Sequence, residues 1–497
     1  MLKIAGRYWW MLVVVLAVLA VGQARFVARD EGFYLFSAKL IAQGGLPYRD
    51  FFLPQAPVMP YLYAVLFKLF GTSWQVARFF SSVTAIGCVW FLYLLARNIY
   101  GERTARVCAL LLTCSAVFQL WIPLAKNAGL GLLFLSVALY LFLVRRDFFL
   151  AGLCVGLCAL TRFTFAPLIV LFLFPLLREN YWRQVRSVIL GLIPAAIVVV
   201  IFLYVTPQNF IEDNFTYHTQ RTRLDEEGIE DNKRYVLMAL LGLRDCIGGG
   251  GWQFCTILLG ALGSIWSVTG GRKEHLFLLA CGGLLFTLNF IPSPTYVQYF
   301  AVVAALAAAP AAHFFLYTSD RIGARLAQRV SPRVVTGCLA ILCGVCFCVF
   351  GAKDFRRFLI TGEKVIGVGA PNHRSWRMAA VSRAARRIDE LNVNQKPVYV
   401  SWPGYLLEAS SKALPGTENN FGVGWANARN FSEAEEVSRR VLSRRGIIRA
   451  FGSGEIDVVV LFLGRGRATE LDKGIRELGA KKVDAIGGIS FFMRPQS

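Results

Sequence analysis

"ARDEGFYLFSAKLIAQGGLPYRDFFLPQAPVMPYLYAVLFKLFG", residues 28–71, comes directly after an apolar run from about Trp9 to Val27. An Asp–Glu pair at the mouth of such a run is costly to keep beside hydrocarbon, so its presence asks for a reason. One reason is local: acids are favourable in the first turn of a helix. The other is chemical, and it rests on the residues C-terminal to the pair. Residues 32–43 read as a helix along a membrane interface, with Lys39 and Gln43 on its polar side. Gly44-Gly45, Pro47 and Tyr48-Arg49-Asp50 then make a turn-rich connection. Residues 57–70 form a second interfacial helix, too short to span comfortably, with Pro54, Pro57 and Pro60 at its start and Lys68 interrupting it. Residues 28–74 are thus an elaborate loop between two spans.

Outward from this loop the chain is apolar. Over 497 residues it is 56% hydrophobic, a composition that fits a polytopic membrane protein and not a soluble one. Further spans are expected near 75–97, 104–122, 128–144, 148–161, 163–177, 187–205, 252–270, 275–291, 296–316 and 334–351, about eleven with the first. Threaded alternately, they deliver Lys3/Arg7, Arg97/Arg103/Arg106, Arg145/Arg146, Arg178/Arg183/Arg186, Arg272/Lys273 and Arg321/Arg325/Arg329 to one face. By the positive-inside rule that face is cytoplasmic. The other face receives 28–74, Lys126, Arg162, the loop 206–250, the turn "IPSPT" and everything after 351. The first run resembles a signal peptide, but no A-x-A-like site precedes Asp30 and more spans come after it, so it reads as a retained helix. The segments 148–161 and 163–177 are short and meet at Thr161-Arg162, which would leave Arg162 pointing into a depression.

The formal charge of +22 does not call for nucleic acid, because Lys and Arg gather in short loops of one face and in a C-terminal stretch suited to lipid phosphates. Most of the twelve Cys lie inside apolar runs and behave as small hydrophobes. Cys343-x-x-Cys346-x-Cys348 has no second ligand cluster to complete a metal site. Gly248–Gly251 lacks the Lys-Ser/Thr of a P-loop and reads as a flexible entry to the next span. H-E-x-x-H and G-x-S-x-G are absent, leaving zinc peptidases and serine hydrolases without support. Of the four His, His313 reads as packed within a helix and His218 as an outer-loop residue able to meet a ligand. From about 375 the pattern changes to amphipathic helices alternating with short strands ("PVYVSW", "IDVVVLFL", "ISFFMR"), the mark of a small α/β domain. Two domains are therefore expected: 1–351 in the membrane and 352–497 outside it.

The stretch 30–71, with "ARFFSS" after it, resembles the first loop of GT-C membrane glycosyltransferases. The branch it is most similar to holds bacterial relatives of dolichyl-phosphate-mannose protein mannosyltransferases and aminoarabinose transferases. The resemblance extends through "FLAGLCVGLCALTRFTFAPLIV" and "PTYVQYFAVVAALAAAPAA". It implies an inverting transfer of a monosaccharide from a polyprenyl-phosphate carrier to a lipid, glycan or protein acceptor, at the outer face of a bacterial inner membrane. It also implies that Asp30 is the general base, with Glu31 as the adjacent acid. A leaving lipid phosphate needs cations, and Arg49, Arg78, Lys126 and Arg162 are the candidates, Arg162 first. Many relatives carry Lys before the Pro-Pro pair of this loop, whereas here Gln55 stands in "LPQAP". That moves charge neutralisation to Arg49 or Arg162 and leaves Gln55 a neutral contact. Gln298 and Tyr299 match a family position facing the donor cavity, although an aromatic at a span entrance is also ordinary belt chemistry. No cofactor is called for, and a divalent cation is left open. The rival readings are an O-antigen ligase or polymerase using a diphosphate-linked glycan, and a transporter.

Overall fold

A computed structural model describes residues 2–174, 180–224, 229–241, 243, 255–271, 273–292, 295–326, 334, 337, 356–361, 373–462 and 469–495. They fall into two compact units. The first holds 1–24, 79–198 and 225–360, and the second holds 25–78, 199–224 and 361–497.

The first unit is helical. Its described helices run Leu2–Ala24, Glu102–Cys114, Ala116–Trp121, Asn127–Tyr140, Phe148–Ala159, Leu168–Phe172, Ile229–Leu240, Cys255–Val268, Lys273–Phe290 and Ala301–Leu326, and it takes most of Trp74–Tyr100 and of Tyr181–Val205. Among the described residues, four segments are long and apolar enough to cross a bilayer: Trp74–Tyr100, Asn127–Arg145, Tyr181–Val205 and Val297–Ile322. Trp10–Ala24 meets the test only jointly with Arg29–Ala42, across a break. The expected run 104–122 is interrupted at Ser115, whose hydroxyl caps the short helix after it. The expected span 334–351 lies, but for residues 334 and 337, outside the described residues, as do Gly248–Gly251 and Cys343–Cys348.

Phe148–Ala159 is short, as its sequence predicts: twelve residues rise only about 18 Å. It packs against Tyr181–Val205 through glycine. A Cβ on Gly152 would stand 2.3 Å from the Val188 carbonyl oxygen, and one on Gly191 2.1 Å from that of Phe149. Small residues let the two backbones touch, which is how apolar helices gain packing energy where burial from water contributes nothing. Cys88, Cys108, Cys158 and Cys281 are buried here as free thiols.

The second unit assembles three distant stretches. The two expected first-loop helices form at Arg29–Ala42 and Val58–Phe70. The C-terminal stretch builds a four-stranded sheet from β1 (Tyr399–Val400), β2 (Val458–Phe462), β3 (Lys481–Ile486) and β4 (Ile489–Met493), in the order β1-β2-β4-β3. β1 and β2 are parallel and the other pairs antiparallel. Gly487 and Gly488, both at positive φ, close the two-residue turn between β3 and β4. β3, "KKVDAI", lies at the edge of the sheet with mostly exposed side chains, so no alternating apolar signal marks it. Helices Met378–Leu391, Arg444–Ser453 and Thr469–Glu477 accompany the sheet, and Ile447, Phe451, Val459, Ile475 and Phe492 fill its core.

Candidate active site

The acid pair opens the helix Arg29–Ala42, and the two acids part company there. Ala28, the N-cap, is extended and has no side chain to cap with. Glu31 supplies the missing interaction in reverse: its Oε2 accepts from the Ala28 N–H at 2.7 Å. The same oxygen takes an ion pair from Arg78 Nη2 at 2.7 Å, with both side chains 0% exposed. Arg78 also donates to the Phe26 carbonyl (3.0 Å), as does Arg25 Nε (3.3 Å). Arg25 is buried too, and its electrostatic neighbours are Arg78 and Glu31. One carboxylate thus faces two guanidinium groups away from water. Asp30, one residue earlier, is half-buried.

The same helix is held from its other side by the C-terminal stretch. Trp402 Nε1 donates to the Arg29 carbonyl at 2.7 Å. Its ring occupies the space a side chain at Gly32 would need, 2.4 Å from that missing Cβ. Trp402 is stacked on Trp74 and wedged edge-on against Trp376 and Tyr405. The Val27 N–H donates to the Trp376 carbonyl at 2.8 Å. Lys39, expected on a polar interfacial face, is buried instead: its Nζ donates to the Leu406 carbonyl at 2.7 Å and to that of Ala409. Glu408 accepts from the Trp74 N–H at 2.9 Å and so caps the start of the next helix.

The connection between the two first-loop helices is fixed by a buried acid. Asp213 accepts from the Leu53 N–H (2.9 Å) and from Arg440 Nη2 (3.0 Å), while Arg440 Nη1 donates to the Tyr48 carbonyl. Burial pushes the Asp213 pKa up to about 7, against the pull of Arg440. Tyr48 adopts φ +66° and donates its hydroxyl to the Gln55 carbonyl at 2.6 Å, clasping the turn. His218 Nε2 lies 3.0 Å from the Pro54 carbonyl oxygen, so that nitrogen carries the proton in this contact. Arg49 is 58% exposed and ion-paired with Asp50 at 2.7 Å.

The remaining expected residues belong to the first unit. Arg162 lies just before a 3-10 turn, Phe163–Phe165, and its guanidinium sits 4.1 Å from the Tyr299 ring centre. A stacked guanidinium uses its face and leaves its N–H edge for an acceptor. Gln298, beside Tyr299, keeps a buried Oε1 without a hydrogen-bond partner. Lys126 immediately precedes the helix Asn127–Tyr140 without capping it, and its Nζ stands 5.7 Å from the Trp121 ring. Among the described residues no three His, Cys, Asp or Glu side chains converge as metal ligands.

Comparison with known proteins bears on this arrangement. The family model of dolichyl-phosphate-mannose-protein mannosyltransferases matches residues 54–206. Among solved structures, the chain resembles ArnT from Cupriavidus metallidurans bound to undecaprenyl phosphate, at TM-score 0.65 and 16% identity. That match covers 99% of this chain and 100% of ArnT. This chain shares its fold with ArnT. The apo form of the same ArnT matches over the same shares at TM-score 0.60 and 16% identity. The archaeal oligosaccharyltransferase AglB from Archaeoglobus fulgidus, in complex with an inhibitory peptide and a dolichol-phosphate, matches at TM-score 0.54 and 14% identity. It is covered over 75% of its own length and 99% of this chain. No curated protein matches by sequence.

Several residues of this chain that shape the acid motif carry no signal in its sequence. Asp213 and Arg440 are separated by more than two hundred positions, and Trp402 lies in a stretch that reads as a strand end. Gly32, one residue after the acid pair, is the available hint, because a glycine in the first turn of a helix lowers its stability and so invites a packing explanation.

Proposed function

We propose that this protein is an inverting glycosyltransferase that moves a monosaccharide from a polyprenyl-phosphate carrier to an acceptor hydroxyl at the outer face of the membrane. The observation that carries the assignment of the base is the division of the acid pair. Glu31 is committed to Arg78 in the protein interior, while Asp30 on the same helical turn keeps partial exposure. In the reading, the acceptor oxygen attacks the sugar C1 as Asp30 takes its proton, and the bond from C1 to the phosphate oxygen breaks. The departing polyprenyl phosphate gains charge, which a guanidinium edge can meet. Arg162 is proposed for that contact, because its stack on Tyr299 pre-orients the fork. Gln298, with its unpaired Oε1, is proposed to accept from a sugar hydroxyl. Lys126 and Gln55 are secondary contacts in the same reading, and His218 a contact of the acceptor. Arg78 and Arg49 already hold carboxylates, so the reading gives Arg78 the task of fixing Glu31 and leaves Arg49 at the loop surface. The ArnT and AglB structures, solved with undecaprenyl phosphate and dolichol-phosphate, support the class of carrier.

The test uses purified protein in lipid nanodiscs, a panel of synthetic undecaprenyl-phosphate monosaccharides, and envelope lipid and glycan extracts as acceptors. The readout is released undecaprenyl phosphate. At least one donor should be turned over, and Asp30→Asn should slow it by roughly two to four orders of magnitude with undecaprenyl phosphate affinity retained. No release from any donor would overturn the enzyme reading, and near-normal turnover in Asp30→Asn would return that residue to a helix-start role.

A further inference from the structure

The helix Arg29–Ala42 can serve a base at Asp30 only if its roll about its own axis is fixed, since successive residues of a helix point about 100° apart. Two contacts on different faces fix it. Glu31 is tied inward to Arg78 and to the Ala28 N–H. One position later, Gly32 lies under the indole of Trp402, with no room for a Cβ, and that indole also donates to the Arg29 carbonyl at 2.7 Å. Arg29 and Gly32 are three apart and so neighbours on one face, which the indole covers as a single plate. Asp30 is then held between the two restraints, one position from each. The plate itself is rigid: Trp74 stacks on it at 5.9 Å between ring centres, and Trp376 and Tyr405 meet it edge-on at 4.8 and 4.9 Å. At the far end of the helix, Lys39 bonds the Leu406 and Ala409 carbonyls, so the same C-terminal stretch secures both ends.

We infer that Trp402 is a positioning residue for the transfer: it sets the roll of the acid-bearing helix and thereby the direction of the Asp30 carboxylate. The C-terminal stretch thus contributes to the chemistry without supplying a reacting group. The inference rests on the reading of Asp30 as base. Misplacing a reacting group by about 1 Å can cost on the order of a hundred-fold in rate, which sets the scale of the effect.

The experiment measures kcat, KM and undecaprenyl phosphate affinity in nanodiscs, using the donor found active for the wild-type protein, for four variants. Trp402→Phe removes the donor N–H and part of the plate, and should lower kcat about ten-fold with undecaprenyl phosphate affinity unchanged. Gly32→Ala drives a methyl into the plate and should lower kcat about a hundred-fold. The pair Gly32→Ala/Trp402→Phe should recover part of that loss, because the smaller ring yields space to the methyl, whereas two unrelated defects would compound. Asp30→Asn is the control for the underlying reading. Turnover lost in Asp30→Asn but normal kcat in Trp402→Phe and Gly32→Ala would overturn the positioning role and leave the base in place. Equal falls in kcat and undecaprenyl phosphate affinity, or no recovery in the pair, would show a general structural role and overturn it as well. Normal turnover in Asp30→Asn would remove both.

Discussion

Replacing Glu31 by Gln keeps the shape of the side chain and an oxygen for the Ala28 N–H, and removes only the charge. The structure makes that charge expensive to lose. Glu31 is the carboxylate beside two buried guanidinium groups, Arg78 at 2.7 Å and Arg25, whose electrostatic neighbours are Arg78 and Glu31. Without it, two like charges remain out of water, and breaking a buried pair in this sense costs roughly 3–5 kcal/mol. Replacing Arg78 by Met is a different perturbation. Glu31 then keeps Arg25 nearby and the Ala28 N–H, so the loss is closer to that of one charged hydrogen bond, about 1.5–3 kcal/mol. Adding Arg78→Met to Glu31→Gln removes one of the two stranded cations, so the double variant should be more stable than Glu31→Gln alone. Equilibrium unfolding by SDS in mixed micelles gives all three values, with far-ultraviolet circular dichroism as readout. A cost for Glu31→Gln no greater than that for Arg78→Met, or additive effects in the double variant, would refute the account of one acid serving two buried bases.

The stack of Arg162 on Tyr299 should matter to carrier binding. Arg162→Ala is expected to weaken undecaprenyl phosphate binding more than Tyr299→Ala, which forfeits a stack worth about 0.5–2 kcal/mol; Arg162→Lys should recover part, and unchanged affinity in Arg162→Ala would place the phosphate elsewhere. Asp213 predicts a pH dependence. Its folded pKa, about 7, lies above its ordinary value of 3.8 because of burial, so the folded state holds the proton more tightly than the unfolded chain. The stability from this group is fully present below about pH 4 and falls as pH rises through 7. Asp213→Asn should flatten the unfolding profile across that window; an identical slope in wild type and variant, measured by the same SDS unfolding, would contradict the burial of a protonated acid beside Leu53.

The residues alone settled the broad class of this protein, because membrane burial writes itself locally. A segment such as Trp74–Tyr100 has to hold a long apolar window to cross hydrocarbon, and a break such as Thr161-Arg162 is polar, so both are legible one segment at a time. That the first loop holds two helices was legible for the same reason, and so were the strands β2 and β4, which are buried and apolar. β3 was not, because an exposed edge strand carries Lys and Asp where a core strand would carry Val. What the acid pair does within the fold was beyond the sequence entirely. Asp30 and Glu31 are adjacent carboxylates of nearly identical chemistry, and only the arrival of Arg78, forty-seven positions on, decides that Glu31 turns inward. Lys39 likewise reads as a surface cation until the Leu406 and Ala409 carbonyls meet it. These decisions are electrostatic and long-range in sequence: a buried charge takes its meaning from its partner, and the partner is chosen by the tertiary fold.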